Sequence, residues 1–309
     1  SVGMHPKDIK TREDFEKIPI LTKDDIKNNI DEMVSLEYNK NNLNIVSTGG
    51  STGEPVSVYH DPNVKIDVFS WRMLEWWGVK PSDNTALIYR HIPKGINKFL
   101  NRIIWFPTKR CFLDASYMTN TSINKFLGDY ARSDIKLILG YVGAINSLAI
   151  YIEKNNIKIS PPKAIWTTSS PLPESQREFI QSVFRAPVYS QYGSCETFWL
   201  AAECGNQKGM HIFSDVRYLE FVNLKNRKVN NNEYGRILVT DLENYACPII
   251  RYENGDRGKV ADNKCDCGVN LPLMDTVKGR SSDSVIMPNG DVFSGEFLTT
   301  IFDDYVDQV

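Results

Sequence analysis

The chain has 309 residues, a length that suits one large domain or two packed lobes. Hydrophobic residues make up 41% of it and charged residues 24%, as in ordinary globular proteins. The formal net charge of -2 argues against broad nucleic-acid binding, which needs a basic face.

The N-terminus and the apolar runs predict a cytoplasmic protein without a membrane span. Residues 1–8 are polar and lack the charged-then-apolar order of a secretion signal. The longest uncharged run, 137–152, is shorter than the ~20 residues that a spanning helix needs. In the absence of a secretion signal, the six cysteines favour reduced thiols or a metal over a disulfide framework.

The first third of the chain predicts charged helices, a glycine-rich loop and a longer helix. A helix start is predicted at Thr22-Lys23-Asp24-Asp25. After the loop, Asp61 and Pro62 predict another start, because Asp caps helices and Pro fits the first helical position. Large side chains then recur at helical spacing and predict a buried face: Val64, Val68, Trp71, Leu74, and Trp77 or Val79.

From residue 85 onward, strand-like runs alternate with helical ones. Strands are predicted at 85–89, 135–139, 164–168 and 188–190, and helices at 122–132, 143–155 and 174–184. This alternation predicts a parallel sheet wound with helices. After Gly209 strands dominate, 288–291 predicts a hairpin turn, and 295–306 predicts an amphipathic helix.

The glycine-rich loop is Ser47-Thr48-Gly49-Gly50-Ser51-Thr52-Gly53, and it lies between two β-like runs. Glycine lets successive N–H groups point to one place, which makes an anion-binding concavity, and hydroxyls add donors. The composition therefore predicts a loop that wraps phosphates, although a plain hairpin tip would look similar. It is neither a Walker A loop nor the dinucleotide fingerprint.

Three later segments offer groups that a nucleotide needs. Tyr192-Gly193-Ser194-Cys195-Glu196 follows a predicted strand and presents a ring that can stack on a base and a carboxylate that can hold Mg²⁺. Asp256 can accept the two hydroxyl protons of a ribose, and Arg280 can fork onto a phosphate or ribose oxygen. Taken singly, each segment could instead be a plain turn or carry a charge at the surface. Arg251, which lies just before the turn that presents Asp256, could also be a surface residue.

Four further residues form a candidate zinc set. Cys204, His211, Cys265 and Cys267 supply three thiolates and an imidazole, which is a complete tetrahedral set. Cys-x-Cys is less diagnostic than Cys-x₂-Cys, and the two pairs lie far apart in sequence, so four unrelated residues stay the alternative. Cys111 and Cys247 are interpreted as core thiols.

In order and spacing, the motifs together resemble those of the adenylate-forming superfamily. They are Ser-Thr-Gly-Gly-Ser-Thr-Gly-Glu-Pro, Tyr-Gly-x-x-Glu, Ile-Arg-Tyr-x-x-Gly-Asp and Gly-Arg-x-x-Asp. The segment Ile18-Pro19-Ile20-Leu21-Thr22-Lys23 is similar to one in the phenylacetate–CoA ligase branch, which includes relatives from capsule polysaccharide loci. The resemblance covers nearly the whole chain. It implies an AMP-forming acid–thiol ligase, in which ATP and Mg²⁺ convert a carboxylic acid to an acyl adenylate and a thiol such as CoA takes the acyl group.

The resemblance also implies roles for single residues. The loop from Ser47 to Gly53 would wrap the ATP phosphates, with Thr48 and Thr52 as catalytic donors. Glu196 would hold Mg²⁺ and act in catalysis. The remaining nucleotide contacts would come from Ser169, Tyr192 along the adenine, Gly193, Cys195, Asp256 on the ribose and Arg280. Similar Cys and His positions recur in the branch, which favours a structural Zn²⁺.

The implied fold class is α/β, the large N-terminal lobe of an adenylate-forming enzyme. Residues 1–208 would form the α/β adenylation lobe with the phosphate loop, and 209–280 would form a β-rich subdomain of the same lobe. Residues 281–309 would form a hinge hairpin and the start of a truncated, mobile C-terminal lobe. That lobe, with its catalytic Lys, is expected to be absent from a chain that stops at Val309. The branch often forms pairs, so a homodimer is an expectation too.

Some positions depart from the pattern of the resemblance. Cys195 stands where Thr or Ser is usual, Asn254 where Thr is usual, and Pro171 near the place of an acidic residue. These departures favour a second hypothesis, a catalytically weak or inactive nucleotide-binding homologue in a polysaccharide pathway. A nucleotide-sugar transferase is a third, but no Asp-x-Asp pair is well placed for it. Aromatic, fatty and sugar-derived acids all stay open as substrates.

Overall fold

A computed structural model gives the architecture of the protein. It describes residues 4–47, 56–90, 92–93, 95–262, 264–275, 277–280, 284–286 and 292–294. By internal contacts the chain divides into two compact units. The β-rich unit comprises 1–66, 193–201 and 209–309, and the α/β unit comprises 67–192 and 202–208.

The helices and strands are numbered here in chain order. The α-helices are α1 (Arg12–Phe15), α2 (Lys23–Asn29), α3 (Asp67–Trp76), α4 (Gly95–Ile104), α5 (Asn120–Ala131), α6 (Val142–Lys154) and α7 (Glu174–Phe184). The first strands are β1 (Asn44–Ser47), β2 (Ser57–His60), β3 (Thr85–Tyr89), β4 (Arg110–Asp114), β5 (Leu137–Tyr141), β6 (Ala164–Thr168), β7 (Val188–Ser194) and β8 (Phe198–Glu203). The later strands are β9 (Met210–Ile212), β10 (Arg217–Val222), β11 (Gly235–Asp241), β12 (Tyr252–Gly258), β13 (Leu273–Met274), β14 (Lys278–Arg280), β15 (Ser284–Ile286) and β16 (Val292–Ser294).

The α/β unit is built on a parallel sheet in the order β4-β3-β5-β6-β7. Its strands are rich in apolar residues because side chains on both faces are covered, as is usual for parallel sheets. The core includes Ile88, Ile138, Ile165 and Val188 from strands, together with side chains of α5, α6 and α7. The predicted α/β class with a parallel, helix-wound sheet is confirmed.

A buried ion pair lies at one end of this unit. The Arg177 guanidinium contacts both Glu203 oxygens, at 2.8 and 3.0 Å, and the Ser190 amide donates to the same carboxylate at 2.7 Å. The side chains are 8% and 4% exposed. The carboxylate is thus held by three donors, which is what a buried charge needs.

The β-rich unit contains an antiparallel sheet in the order β10-β11-β12-β14. Further antiparallel pairs in this unit include the β1–β2 ribbon and the β9–β13 pair. Helix α2 begins at a capping box in which Thr22 and Asp25 bond each other's backbone N–H, as predicted for a start there. Its Ile26 is buried in a core cluster with Val58, Ile249 and others.

The structure differs from the prediction at the helix after the glycine-rich loop. Helix α3 begins at Asp67, and Asp61 does not cap it: the Asp61 carboxylate accepts from the Asn63 amide at 2.8 Å, which makes a local Asx turn. The buried face of this helix is formed by Phe69, Met73 and Leu74. Leu74, Trp77 and Val79 are buried as predicted, whereas Val68 and Trp71 are 48% and 52% exposed, so that part of the interpretation was wrong.

The hairpin predicted near residue 290 is present as the antiparallel pair β15–β16. The predicted helix at 295–306 lies outside the described residues, and the boundaries at 208 and 280 stay predictions. In the described part of the chain, no helix is long and apolar enough to cross a bilayer.

Candidate functional site

A short turn, 194–197, follows β7 and carries Glu196. Its own hydroxyls fix it: Ser194 Oγ lies 3.1 Å from Thr197 Oγ1 and accepts from the Thr197 amide at 3.3 Å. Glu196 is only 4% exposed. The turn therefore presents a buried carboxylate on a fixed backbone, which suits a residue that must hold one position.

Tyr252, the first residue of β12, orients this carboxylate. Its hydroxyl donates to Glu196 Oε1 at 2.7 Å, and the Tyr252 side chain is fully buried. A bond from a neutral donor to an ionised acceptor is roughly twice as strong as a neutral pair. One tyrosine donor cannot fill the four or so acceptor positions of a carboxylate, so the group retains capacity to bind a cation.

A buried ion pair supports the turn from its other end. Arg217 donates from Nε to the Thr197 carbonyl at 2.7 Å and pairs through Nη1 with Asp241 Oδ1 at 2.8 Å. The two side chains are 0% and 1% exposed. A guanidinium fixed in this way holds the backbone just after Glu196, because its planar fork allows little rotation once it is paired.

His60, at the end of β2, holds the backbone just before Glu196. Its Nε2 lies 3.3 Å from the Cys195 carbonyl, and its ring centroid is 4.3 Å from that of Phe198. A carbonyl only accepts, so Nε2 carries the proton, and Nδ1 is left to accept from the Asn244 amide at 3.4 Å. Burial lowers the pKa of His60 below its usual 6.5, and the Asp241 carboxylate partly offsets this, so the ring is neutral near pH 7.

Asp256 lies farther along β12, where the strand is bulged. Gly255 has φ of 90°, a conformation that favours glycine, and Asn254 Nδ2 donates to Asp256 Oδ2 at 3.2 Å. Asp256 is paired in register with Arg280 of β14. The structure thus places the backbones of these two predicted ribose or phosphate residues side by side.

Arg251, just before β12, is a structural residue. It is 2% exposed, pairs with Glu220 at 3.0 Å and donates to the carbonyls of Glu16 and Ile18. The alternative that it lies at the surface is therefore wrong. Its contacts tie the N-terminal segment to the sheet, and Leu21 forms a parallel bridge with Tyr252.

Other predicted site residues are placed as follows. Ser47 ends β1 and its hydroxyl lies 2.8 Å from that of Ser57, but Thr48 to Gly53 fall outside the described residues. Gly193 and Cys195 belong to the β-rich unit with Glu196. Tyr192 and Ser169 belong to the α/β unit, where Tyr192 is buried and Ser169 is exposed with φ of 76°.

Three of the predicted zinc ligands meet in the β-rich unit. The ligand atoms of His211, Cys265 and Cys267 lie within 4.8 Å of one another. His211 Nε2 is 3.3 Å from Cys267 Sγ, and its Nδ1 is 3.2 Å from the Leu271 carbonyl. The fourth, Cys204, is 1% exposed and lies in the 202–208 segment of the α/β unit, seven residues before His211.

The supporting residues Tyr252, Arg217, Asp241 and His60 had no assigned role in the sequence. Tyr252 stands inside the motif that contains Asp256, so its place in the motif was a usable signal. The others are far from residue 196 in the chain, and no local pattern connects them to it.

The comparisons with known proteins agree with the motifs. No protein-family model matches the chain. The chain is 25% identical over 252 residues to Protein CapK of Staphylococcus aureus, which covers 78% of this chain and 53% of CapK. It is 24% identical over 310 residues to the phenylacetate-coenzyme A ligase of Escherichia coli K12, covering 96% of this chain and 68% of that protein.

Among solved structures, an open conformation of 2-hydroxyisobutyryl-CoA ligase in complex with 2-HIB-AMP and CoA matches with a TM-score of 0.78 at 18% identity. The match covers 98% of this chain and 73% of that one. The resemblance predicted from the motifs is confirmed: the relatives are phenylacetate-CoA ligases and CapK, and the fold is that of acyl-CoA ligases of the adenylate-forming superfamily. The chain spans about half of CapK and about two thirds of the ligase.

Proposed function

We propose that this chain carries the nucleotide-binding part of an AMP-forming acid–CoA ligase. One observation carries the proposal: within the β-rich unit, Glu196 is bonded to Tyr252 of β12, and Asp256 of the same strand is paired with Arg280. Three motifs that are far apart in sequence thus converge through one strand. The relatives and the fold support the same reading.

In this proposal a carboxylate oxygen of the substrate attacks the α-phosphorus of ATP, and the bond to pyrophosphate breaks. CoA thiolate then attacks the acyl carbon, and AMP leaves. The loop Ser47 to Gly53, with Thr48 and Thr52, donates to the phosphates; Asp256 and Arg280 hold the ribose side. Tyr192, Ser169, Gly193 and Cys195 complete the nucleotide contacts.

Glu196 is the proposed Mg²⁺ ligand. Its carboxylate fits a hard cation that prefers oxygen ligands, and the single described donor on it, Tyr252, leaves acceptor positions for the ion. When bound, Mg²⁺ would relieve the repulsion between the attacking carboxylate and the phosphates. Tyr252, Arg217 and His60 keep the carboxylate in place and do not touch the substrate in this proposal.

The experiment is carboxylate-dependent exchange of labelled pyrophosphate into ATP, run on the full-length protein with aromatic, fatty and sugar-derived acids. Exchange with one class would establish adenylation and identify the acid. Glu196→Gln should lower exchange by at least about 100-fold, since it removes a charge from the transition state. Glu37→Gln, an exposed glutamate of the same unit, is the matched control and should retain it.

The similarity to CapK favours a second candidate function. In it, the protein is a nucleotide-binding homologue that acts in capsular polysaccharide biosynthesis and has weak or no catalytic activity. Cys195 supports it, because a thiol is a weaker donor than a hydroxyl. ATP binding measured by calorimetry, without exchange for any acid, would select this candidate over the ligase. A cytoplasmic location and a homodimer complete the proposal and need their own tests.

We also propose a structural zinc bound by Cys204, His211, Cys265 and Cys267. The donor set is that of a tetrahedral site. Nδ1 of His211 is positioned to donate to the Leu271 carbonyl, which leaves Nε2 as the ligand atom and fixes the ring. The Val269 amide donates to Cys267 Sγ at 3.4 Å, which helps to fix the position of this sulfur.

Metal analysis of chelator-washed protein tests this site. We expect about one zinc per chain in the parent protein, and its loss in Cys265→Ser and Cys267→Ser. Cys247→Ala changes a buried cysteine outside the cluster and should retain the metal. A metal content that is zero in the parent, or equal in all variants, would contradict the zinc proposal and would leave the ligase proposal untouched.

A further inference from the structure

Helix α4, in the α/β unit, has two sharply separated faces. At 100° per residue, Ile96, Phe99, Leu100, Ile103 and Ile104 fall within about 140° of its circumference. On the opposite arc, the described side chains are polar or charged: Asn97, Asn101 and Arg102. Such separation over a whole helix normally means that one face is covered by something apolar.

The apolar face of α4 is nevertheless exposed. Ile96 is 70% exposed, Phe99 59%, Ile103 57% and Ile104 73%. The chain beyond the helix continues the patch, because Trp105 is 39% and Phe106 81% exposed. Single exposed apolar residues are ordinary, but a contiguous group of this kind marks an interaction surface.

The charge of the segment that carries the patch favours one class of partner. Between Asp83 and Asp114 the sequence has six Lys or Arg residues and no acidic residue, although the whole chain carries -2. Arg102 on α4 and Lys109 just after it are exposed. An anionic lipid surface attracts basic residues that accompany an exposed apolar face, whereas a protein partner or a second copy would not by itself require them.

We propose that α4, with Trp105 and Phe106, binds the surface of an anionic lipid bilayer. The helix would lie in the interface, with its apolar face among the acyl chains and Arg102 and Lys109 at the headgroups. Its 10 residues span about 15 Å, far too short to cross a bilayer, and an apolar face with a cationic polar face is the pattern of interfacial helices. The surface lies in one unit and goes beyond the proposed ligase activity.

Co-sedimentation with vesicles tests the proposal. The full-length protein should bind vesicles of phosphatidylglycerol and phosphatidylcholine in equal parts, and bind pure phosphatidylcholine at least about tenfold more weakly. The double variant Phe99→Ser/Ile103→Ser should lose at least about tenfold in affinity, because two large side chains no longer leave water. Val68→Ser/Trp71→Ser removes equally exposed apolar residues from α3 and should bind as the parent does.

A second pair of variants isolates the electrostatic part. The affinity of Arg102→Gln/Lys109→Gln for the anionic vesicles should fall about fivefold for each positive charge that is removed. Lys125→Gln/Lys154→Gln removes exposed charges elsewhere in the same unit and should change little. A higher salt concentration should weaken vesicle binding by the parent protein, so that its affinity approaches that of Arg102→Gln/Lys109→Gln.

Fluorescence quenching by brominated lipid locates the bound segment. Quenching should decrease in Trp105→Phe and stay unchanged in Trp71→Phe. Three outcomes overturn the proposal: folded protein that ignores anionic vesicles, binding that does not depend on the Phe99 and Ile103 side chains, or a dimer in sedimentation velocity that Phe99→Ser/Ile103→Ser dissociates. The last would show that a second copy covers the face.

Discussion

The sharpest test of the candidate site is Tyr252→Phe. The change removes one hydroxyl and keeps the ring, and that hydroxyl donates to the 4%-exposed Glu196 carboxylate at 2.7 Å. A hydrogen bond to a charged group contributes about 1.5–3 kcal/mol. We therefore expect the free energy of unfolding in urea to fall by about 1.5–3 kcal/mol, since the buried carboxylate loses its donor.

The matched control is Tyr130→Phe in the α/β unit. Its hydroxyl, on an equally buried ring, donates to the neutral Ser160 carbonyl at 2.9 Å. A neutral bond is worth about 0.5–1.5 kcal/mol, so the control should be the milder variant. If the Tyr252 hydrogen bond also positions Glu196 for catalysis, acid-dependent pyrophosphate exchange should fall about 10- to 100-fold in Tyr252→Phe and should not fall in Tyr130→Phe. Equal stability losses with unchanged exchange would show that the bond does not orient Glu196.

Three more predictions concern the framework. Arg177→Met should cost about 3–5 kcal/mol in urea unfolding because it leaves a buried carboxylate unpaired, whereas Arg132→Met, in a pair that is 73% and 40% exposed, should cost under about 1 kcal/mol. Gly140→Ala should lower the melting temperature, because its Cβ would come within 2.6 Å of a backbone oxygen, and Gly143→Ala, with open space, should not. Because burial lowers the pKa of His60 in the folded protein, the unfolded chain binds a proton below about pH 6.5 that the folded protein does not bind. The free energy of unfolding should therefore fall as the pH drops below about 6.5. In His60→Gln this fall between about pH 7 and pH 5 should be smaller.

The sequence predicts the α/β unit well because its helices and strands have clear local patterns of apolar and polar residues. The strands β5, β6 and β7 are short apolar runs between helical segments, and both patterns depend only on near neighbours. The motifs likewise indicate Glu196 and Asp256 as candidate site residues. What holds Glu196 in place is a different matter, since Arg217 and Asp241 reach the turn only through tertiary packing.

Local competition explains the errors. The Asx turn at Asp61 uses the side chain that the capping rule assigns to a helix, and the helix that begins at Asp67 buries Phe69, Met73 and Leu74, a face that does not include Trp71. The sequence around α4 shows a basic segment, but it does not show that the apolar face of the helix is exposed. That follows only from the exposed fractions of its side chains in the structure. Burial is a property of the fold, and hydrophobic spacing alone does not say what covers a face.

The supports of the 194–197 turn also bear on Cys195, the residue that most weakens the ligase proposal. His60 binds the Cys195 carbonyl, Arg217 binds the Thr197 carbonyl, and Ser194 bonds Thr197. Two of these contacts go to the backbone, and none needs a particular side chain at 195. These three contacts do not involve the exposed Cys195 side chain, so we expect a Cys in place of Thr or Ser to act mainly on a direct contact with the nucleotide. Cys195→Thr should accordingly leave the free energy of unfolding within about 0.5 kcal/mol and change only the affinity for ATP or the rate of exchange; a large loss of stability would show that the thiol is packed as a structural part of the turn.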